Sequence, residues 1–156
     1  FEKNMLKMAG KLAKFLAVFL IVFLVGCTKN VEENQVLIDN GKNLIKINVE
    51  IADDNAEMEK GLMFRDRLDE NDGMLFVFDD NAARTFWMKN TLIALDMIFI
   101  DDKNEIVDIK HAVPCKEEPC ALYKSSKPAK YVLEVNDGFA AKNSIDIGDK
   151  IILNQR

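Results

Sequence analysis

The chain has 156 residues, an apolar fraction of 49% and a formal net charge of −5. This length fits one domain behind a leader, and 7 Gly and 3 Pro are too few for a disordered or repetitive chain. Residues 1–26 contain four of the 21 basic residues and one of the 26 acidic ones, so the rest carries a net charge of about −8. A body this acidic repels phosphate backbones, and we expect no nucleic-acid partner.

The first 26 residues have the pattern of a lipoprotein-type signal peptide. Four lysines precede an apolar run at residues 15–25, which has the length of a signal-peptide h-region and is too short to cross a bilayer comfortably. The tetrapeptide LVGC follows and resembles the bacterial lipobox, in which cleavage falls before a lipidated cysteine. We therefore predict a lipid anchor at Cys27 and an extracytoplasmic location on the bacterial cell envelope; an uncleaved signal anchor is the alternative.

The segment after Cys27 is polar and has no strong periodicity. Residues 27–43 predict a tether that holds a globular domain off the membrane, and a short strand at residues 36–38 is compatible with this pattern. The single globular domain is assigned to residues 44–156.

Apolar periodicity predicts a strand, a helix and a second strand at the start of this domain. In residues 44–52, LIKINVEIA, four β-branched residues alternate with polar ones, as in a half-buried strand. A short helix follows, with Asp53 or Asp54 as its N-cap and Gly61 at its end. The unbroken apolar run GMLFVF, residues 73–78, predicts a buried strand.

The second half of the domain has the same character. Further strands are predicted at residues 84–88, 95–101, 105–113, 130–136 and 148–153, and a short helix within 138–145. A polar turn makes the third of these strands the hairpin partner of the second. Six to seven short strands with two short helices and no long βαβ crossover predict an α+β fold with a mainly antiparallel, curled or barrel-like sheet.

Two cysteines, Cys115 and Cys120, lie in the segment PCKEEPC. Because Cys27 is assigned to the lipid anchor, two cysteines remain. Outside the cytoplasm, an even number of cysteines predicts a disulfide. The alternatives are a redox-active pair and a metal site that adds His111. The pair lacks C-x-x-C spacing, and the metal site lacks a fourth ligand. We predict no metal site and no cofactor.

The stretch GLMFRDRL, residues 61–68, mixes apolar and charged side chains. The residues expected in the core here are Met58, Leu62, Met63 and Phe64. Arg65 and Arg67 lie beside the turn at Gly61, where a guanidinium can bind a nearby carboxylate or an anionic ligand. The nearby carboxylates are those of Asp66, Asp69 and Asp72.

The stretch FWMKNTLIALDM, residues 86–97, sets polar residues among apolar ones. Strand alternation places Asp96 on one face with Ile98 and Ile100, so its carboxyl should be buried and needs hydrogen-bond partners. The loop at residues 89–94 is where those partners are expected. The functional alternative is a pocket with an aromatic wall and an acid–base pair, lined by Arg65, Trp87, Lys89, Asn90 and Asp96.

Six motifs occur in the order GLMFR, GMLFVF, FWMKNT, LDMIFID, VPC…PC and YVLEVN. Together they resemble the bacterial and archaeal domain of unknown function 192, over about residues 45–153. The resemblance implies a compact, strand-rich α+β domain, often behind a signal peptide or membrane anchor, and it implies no established activity or catalytic residue. The family commonly has Pro where this chain has Ala94, which makes the loop slightly less rigid here.

The sequence contains no nucleophile elbow, no HExxH, no P-loop and no recognised Ser/His/Asp order. We therefore expect a lipid-anchored extracytoplasmic module that binds a small polar ligand or an envelope partner protein. One alternative is a hydrolase or transferase that acts on envelope material with Asp96 and Lys89 as its acid–base pair. The other is a structural envelope protein without a pocket.

Overall fold

The computed structural model describes residues 34–154, which contain nine strands and two short helices. In chain order they are β1 (Gln35–Asp39), β2 (Leu44–Ala52), α1 (Asn55–Lys60), β3 (Asp72–Ala82), β4 (Thr85–Trp87), β5 (Leu95–Ile100), β6 (Ile106–Ala112), β7 (Leu122–Lys124), β8 (Ala129–Asn136), α2 (Phe139–Lys142) and β9 (Lys150–Asn154). The predicted signal peptide, the lipidation site at Cys27 and the start of the predicted tether lie outside these residues. Within residues 34–154, no helix has the length and apolarity that crossing a bilayer requires.

Seven strands form one sheet in the order β6-β5-β8-β3-β2-β1-β9. Neighbouring strands in this sheet run antiparallel. The exception is the pair β2 and β3, which run parallel and are connected through α1. The two edges meet, since Glu105 forms a β-bridge with Lys150 and the Ile106 N–H donates to the Asp149 carbonyl at 2.9 Å. This contact confirms the predicted α+β class with a mainly antiparallel, curled sheet.

Alternation along the strands sends side chains into two hydrophobic layers. All seven strands of the sheet contribute to the inner layer, in which Ile98 and Ile100 of β5 belong to the same cluster as Phe139 and Ala140. Met97 and Phe99 point the other way, into an outer layer that Leu62 helps to cover. All six residues of β5 are buried, so the centre of the sheet is covered on both sides.

The first strand begins earlier than the predicted domain boundary. β1 lies inside the sheet between β2 and β9, and its Val36 and Ile38 side chains are fully buried in the inner layer. The segment compatible with a short strand is therefore part of the core. The globular domain extends back to at least residue 35 rather than beginning at residue 44.

The first helix is bounded by the residues that the sequence predicts. The Asp54 side chain accepts the Glu57 N–H at 2.8 Å, which satisfies one of the free donors at the start of α1. Gly61 ends the helix at a φ of 45°, a conformation that costs glycine little. A Cβ at this position would also lie 3.2 Å from the Phe76 ring.

The strands predicted on either side of residues 89–94 belong to different sheets. β4 pairs with β7 in a separate two-stranded sheet, while β5 lies in the main sheet. β7 has no counterpart among the predicted strands, because three residues are too few for an alternation to stand out. Phe86 of β4 packs against the outer layer, so this small sheet forms part of its cover.

Candidate functional site

The described residues include an exposed tryptophan at the end of the small two-stranded sheet. Trp87 ends β4 directly across from Leu122 of β7, and 47% of Trp87 and 68% of Leu122 are exposed to solvent. Phe86, the neighbour of Trp87, points into the outer layer instead. Alternation in this short strand therefore turns the indole outward, where it is free to contact a ligand.

A disulfide fixes the loop beside Trp87. Cys115 and Cys120 are bonded at 2.05 Å, which confirms the predicted pairing and leaves neither sulfur free to join His111 as a metal ligand. The Cys115 N–H donates to the Met88 carbonyl at 3.3 Å, so the disulfide loop is attached to the segment that follows β4.

A cleft of about 440 Å³ opens on one side of Trp87. Its lining residues are Trp87, Lys89 and Asn90 from the FWMKNT motif and Ala56, Glu59, Lys60 and Met63 from α1 and the turn after it. Ala56, Glu59 and Lys60 follow the spacing i, i+3, i+4, which places them on one side of α1, and Met63 lies in the turn that follows. Of the five predicted pocket residues, the structure brings Trp87, Lys89 and Asn90 together here.

Two left-handed residues join the two walls of this cleft. Phe64 has a φ of 64° and Asn90 a φ of 57°, and the Phe64 N–H donates to the Asn90 carbonyl at 2.8 Å. This conformation is uncommon for asparagine and an outlier for a bulky aromatic residue. It turns the Phe64 ring outward with 69% of the residue exposed, so the prediction that Phe64 lies in the core is wrong.

A second cleft, of about 330 Å³, lies on the other side of Trp87. Phe86 forms its apolar floor and makes edge-to-face contacts with Phe76 and Phe78, at centroid distances of 5.1 and 6.4 Å. The Arg84 guanidinium lies 3.9 Å from the centre of the Phe78 ring. Both clefts share Trp87 and Glu59, so the indole stands between them.

Two of the three cations that line these clefts are paired with acids, and the third, Lys60, is balanced by the neighbouring Glu59 in the same lining. Lys89 Nζ lies 2.7 Å from Glu118 Oε1 and 5.4 Å from the centre of the Trp87 ring. Arg84 Nη2 lies 2.6 Å from Asp80 Oδ1. Hydrogen bonding to these cations lowers the pKa of both Glu118 and Asp80, so both acids are ionised at neutral pH. The cleft therefore presents polar groups without a free excess of positive charge.

Arg65 lies apart from the clefts and binds a different acid from those predicted. Its guanidinium makes two hydrogen bonds to the Glu50 carboxylate, at 2.5 and 2.6 Å. The expectation of a partner among Asp66, Asp69 and Asp72 is wrong, because the turn after α1 returns Arg65 to Glu50 on β2. Hydrogen bonding in this pair lowers the pKa of Glu50 and raises that of Arg65.

Asp96 is buried as predicted, with 5% of the residue exposed, but its partner is not in the loop at residues 89–94. Its Oδ2 atom accepts the Ala140 N–H of α2 at 2.9 Å. It points toward the inner layer, whereas the floor of the second cleft belongs to the outer layer. The structure thus gives Asp96 and Lys89 separate partners, on α2 and on the disulfide loop, and does not present them as an acid–base pair.

A second buried acid, Glu134 of β8, is absent from the predicted site. It lies directly between Met74 and Met97 in the sheet, with 5% of the residue exposed. Burial raises its pKa to about 8, so the carboxyl is largely protonated at neutral pH. Strand alternation in KYVLEVN places Glu134 on the same face as Val132 and could have identified it, because a valine within a strand usually faces a core.

The protein is a curled α+β half-barrel with an exposed tryptophan between two surface clefts. The chain belongs to the family of uncharacterized ACR proteins known as domain of unknown function 192, whose model matches residues 36–153. The match covers the whole sheet from β1 to the end of β9 apart from its terminal residues, and it agrees with the family resemblance of the sequence motifs.

Two proteins of similar sequence come from Pyrococcus species. A UPF0127 protein of Pyrococcus furiosus is 28% identical over 116 residues, which cover 71% of this chain and 90% of that protein. A UPF0127 protein of Pyrococcus abyssi is 29% identical over 105 residues, covering 66% of this chain and 83% of that protein.

Two crystal structures share the fold. One, from Sinorhizobium meliloti, is described as a "putative transcription regulator"; it matches with a TM-score of 0.72 and 34% identity, over 78% of this chain and 93% of the other. The second is a protein of unknown function from Novosphingobium aromaticivorans, with a TM-score of 0.71 and 36% identity, over 76% of this chain and 83% of the other.

Proposed function

We propose that this protein is a lipid-anchored extracytoplasmic module that binds a small, neutral, polar ligand in the clefts beside Trp87. The single observation that carries this proposal is the half-exposed indole, which stands between two clefts and is flanked by Glu59, Lys89 and Asn90. Concave sites with an aromatic surface and a few convergent polar groups are the usual form of small-molecule sites.

The charges favour a neutral ligand. Lys89 and Arg84 each hold a carboxylate, so an incoming anion would have to displace Glu118 or Asp80 from its partner. The indole offers a flat apolar surface, and the polar groups at the rim can hydrogen-bond to hydroxyl or amide groups. A sugar ring has this combination of an apolar face and peripheral hydroxyls, and we propose a neutral saccharide as the ligand.

The location rests on the start of the sequence. The lysine-bearing segment, the apolar run and LVGC support lipidation at Cys27 and export across the cytoplasmic membrane. Attachment to the cell envelope would hold the Trp87 clefts among envelope glycans.

We expect Trp87→Ala to weaken saccharide binding by about 2 kcal/mol, roughly thirtyfold, because exposed aromatic anchors dominate such contacts. Trp87 is the only tryptophan of the chain, so its fluorescence reports directly on the cleft in the wild-type protein. Neutral mono- and disaccharides, including N-acetylated amino sugars, are titrated by fluorescence, and the variant is compared by calorimetry.

The matched control is Ile152→Ala, which removes another half-exposed apolar side chain, on β9. Both variants should keep wild-type stability within about 1 kcal/mol, because about half of each residue is in solvent and neither belongs to a buried core cluster. Binding to Trp87→Ala with wild-type affinity would contradict the proposal, as would the absence of any heat or fluorescence change with all the saccharides at millimolar concentration.

Nucleic-acid binding, which the description of the Sinorhizobium meliloti relative suggests, has less support here. The chain outside residues 1–26 carries a net charge of about −8, and Lys89 and Arg84 at the clefts are already paired with acids. Proteins that bind nucleic acids need cations that can release phosphate counterions.

A further inference from the structure

Three side chains with metal-binding atoms meet at one end of the sheet. Asp96 and His111 are direct cross-strand neighbours on β5 and β6, and Asp137 follows the last residue of β8, which pairs with the other side of β5. Directly opposed side chains of antiparallel strands lie about 5 Å apart on the same face. The register therefore brings two carboxylates and the only histidine of the chain to one point.

The donor atoms of this cluster converge. His111 Nδ1 lies 2.5 Å from Asp137 Oδ1 and 3.8 Å from Asp96 Oδ1. One ligand atom from each of the three side chains lies within 4.8 Å of the other two. Ligand atoms around a tetrahedral zinc ion are about 3.3 to 3.5 Å apart, so movements of about 1 Å in the solvent-exposed His111 and Asp137 side chains reach that arrangement.

One oxygen of the buried Asp96 lacks a hydrogen bond. More than nine-tenths of this residue is buried, and its Oδ2 atom is held by the Ala140 N–H. The Oδ1 atom accepts no hydrogen bond from any residue between 34 and 154, and it faces His111 Nδ1. The hydrogen bond to Oδ2 holds this carboxylate in place and leaves Oδ1 directed at His111, as is usual for carboxylates that bind metals.

We propose that Asp96, His111 and Asp137 bind a divalent transition-metal ion, with Zn²⁺ as the best match. An imidazole nitrogen with two carboxylate oxygens suits Zn²⁺, whereas Mg²⁺ prefers oxygen ligands and keeps several waters. Three protein ligands leave a fourth position for water or another small ligand. Asp96 points into the inner layer, away from the layer beneath Trp87, so this site is independent of the proposed saccharide function.

The test is a titration of the metal-free full chain with Zn²⁺ alone, followed by calorimetry and by the imidazole NMR signals. Because His111 is the only histidine, those signals form a single set that should shift on binding of one equivalent. His111→Ala and Asp137→Asn should each weaken binding at least about tenfold, since even the loss of an outer-sphere partner costs that much. Both side chains are exposed, so both variants should fold.

Asp102→Asn, which removes a carboxylate from an exposed turn, is the matched control and should bind as the wild type does. Asp96→Asn is not used, because it also removes the acceptor of the Ala140 N–H. Zn²⁺ binding that leaves the His111 signals unmoved, or that survives His111→Ala and Asp137→Asn at wild-type affinity, would overturn the proposal. So would the absence of binding at millimolar Zn²⁺.

Discussion

The wild-type protein should lose stability as the pH rises from about 5 to about 8, and Glu134→Gln should remove most of this loss. Burial raises the pKa of Glu134 from 4.5 to about 8 in the folded state, whereas the unfolded chain exposes the carboxyl to water. Between these two pKa values the folded state holds a proton that the unfolded state has released. Stability is therefore highest below the lower value and falls as the pH rises.

The size of this effect follows from the linkage between proton binding and folding. Each pH unit between the two pKa values costs about 1.4 kcal/mol of the free energy of unfolding, so several units cost a few kcal/mol. Glutamine has nearly the shape of a protonated glutamic acid and cannot ionise. The variant should therefore be close to wild-type stability at pH 5 and more stable than the wild type at pH 8.

Urea denaturation across this pH range, followed by circular dichroism, measures the difference between the two proteins. The carboxyls whose pKa is lowered, such as Glu50 and Glu118, are ionised in the folded state at pH 5, and above that pH they add only a small rise in stability. Glu70→Gln removes an exposed carboxyl whose pKa is lowered by Lys142, and it is the matched control. Parallel pH profiles for the wild type and Glu134→Gln would show that Glu134 is not buried as described.

Gly73→Ala should destabilise the fold by about 3 kcal/mol, a large part of the stability of a small domain. Gly73 lies in β3 between β2 and β8, and a Cβ there would come within 2.7 Å of the Glu134 carbonyl oxygen. It would also lie 3.1 Å from a Val135 methyl group. Because the nearest atom belongs to the backbone of a paired strand, relief requires β3 and β8 to separate.

Gly41→Ala separates this clash from the general cost of replacing a glycine. Gly41 has a φ of 75° and open space around its Cα, so alanine there should cost only about 1 to 2 kcal/mol of left-handed strain. Urea midpoints of both variants, measured with equal m-values, give the comparison. A Gly73→Ala protein as stable as Gly41→Ala, or more so, would contradict the described contact between β3 and β8.

Local patterns in the sequence were sufficient to predict most of the fold. Alternation over residues 44–52 and the caps Asp54 and Gly61 are confirmed, because each depends on neighbouring residues alone. The burial of Asp96 is also confirmed, since a period of two fixes its face once β5 is assigned. β7 was missed because three residues leave no measurable period.

Partners that lie far apart in the sequence could not be predicted in this way. Arg65 binds Glu50 across the turn after α1, although three aspartates are closer in the sequence. Asp96 meets Ala140, 44 positions away, because α2 folds back over the inner layer. Phe64 was expected in the core, but its left-handed backbone turns the ring outward, and no residue pattern signals that conformation in a phenylalanine.

One wall of the cleft that contains Lys89 was predicted from the sequence, and the opposite wall was not. The polar residues of FWMKNT identified Trp87, Lys89 and Asn90 as candidates, and the structure places them along one wall. The opposite wall is the side of α1 that carries Glu59 and Lys60. That side could have been found from its helical spacing, whereas its position facing Trp87 depends on the tertiary fold.

The most direct test of the proposed function is an NMR map of the protein during titration with a neutral disaccharide. The proposal predicts that shift changes concentrate in residues 56–63 and 84–90 and include the indole N–H of Trp87, which is the only indole in the chain. The chemical shifts of residues in β1 and β9, which line neither cleft, should stay unchanged. Changes centred on any other surface, or no changes at millimolar disaccharide, would contradict it.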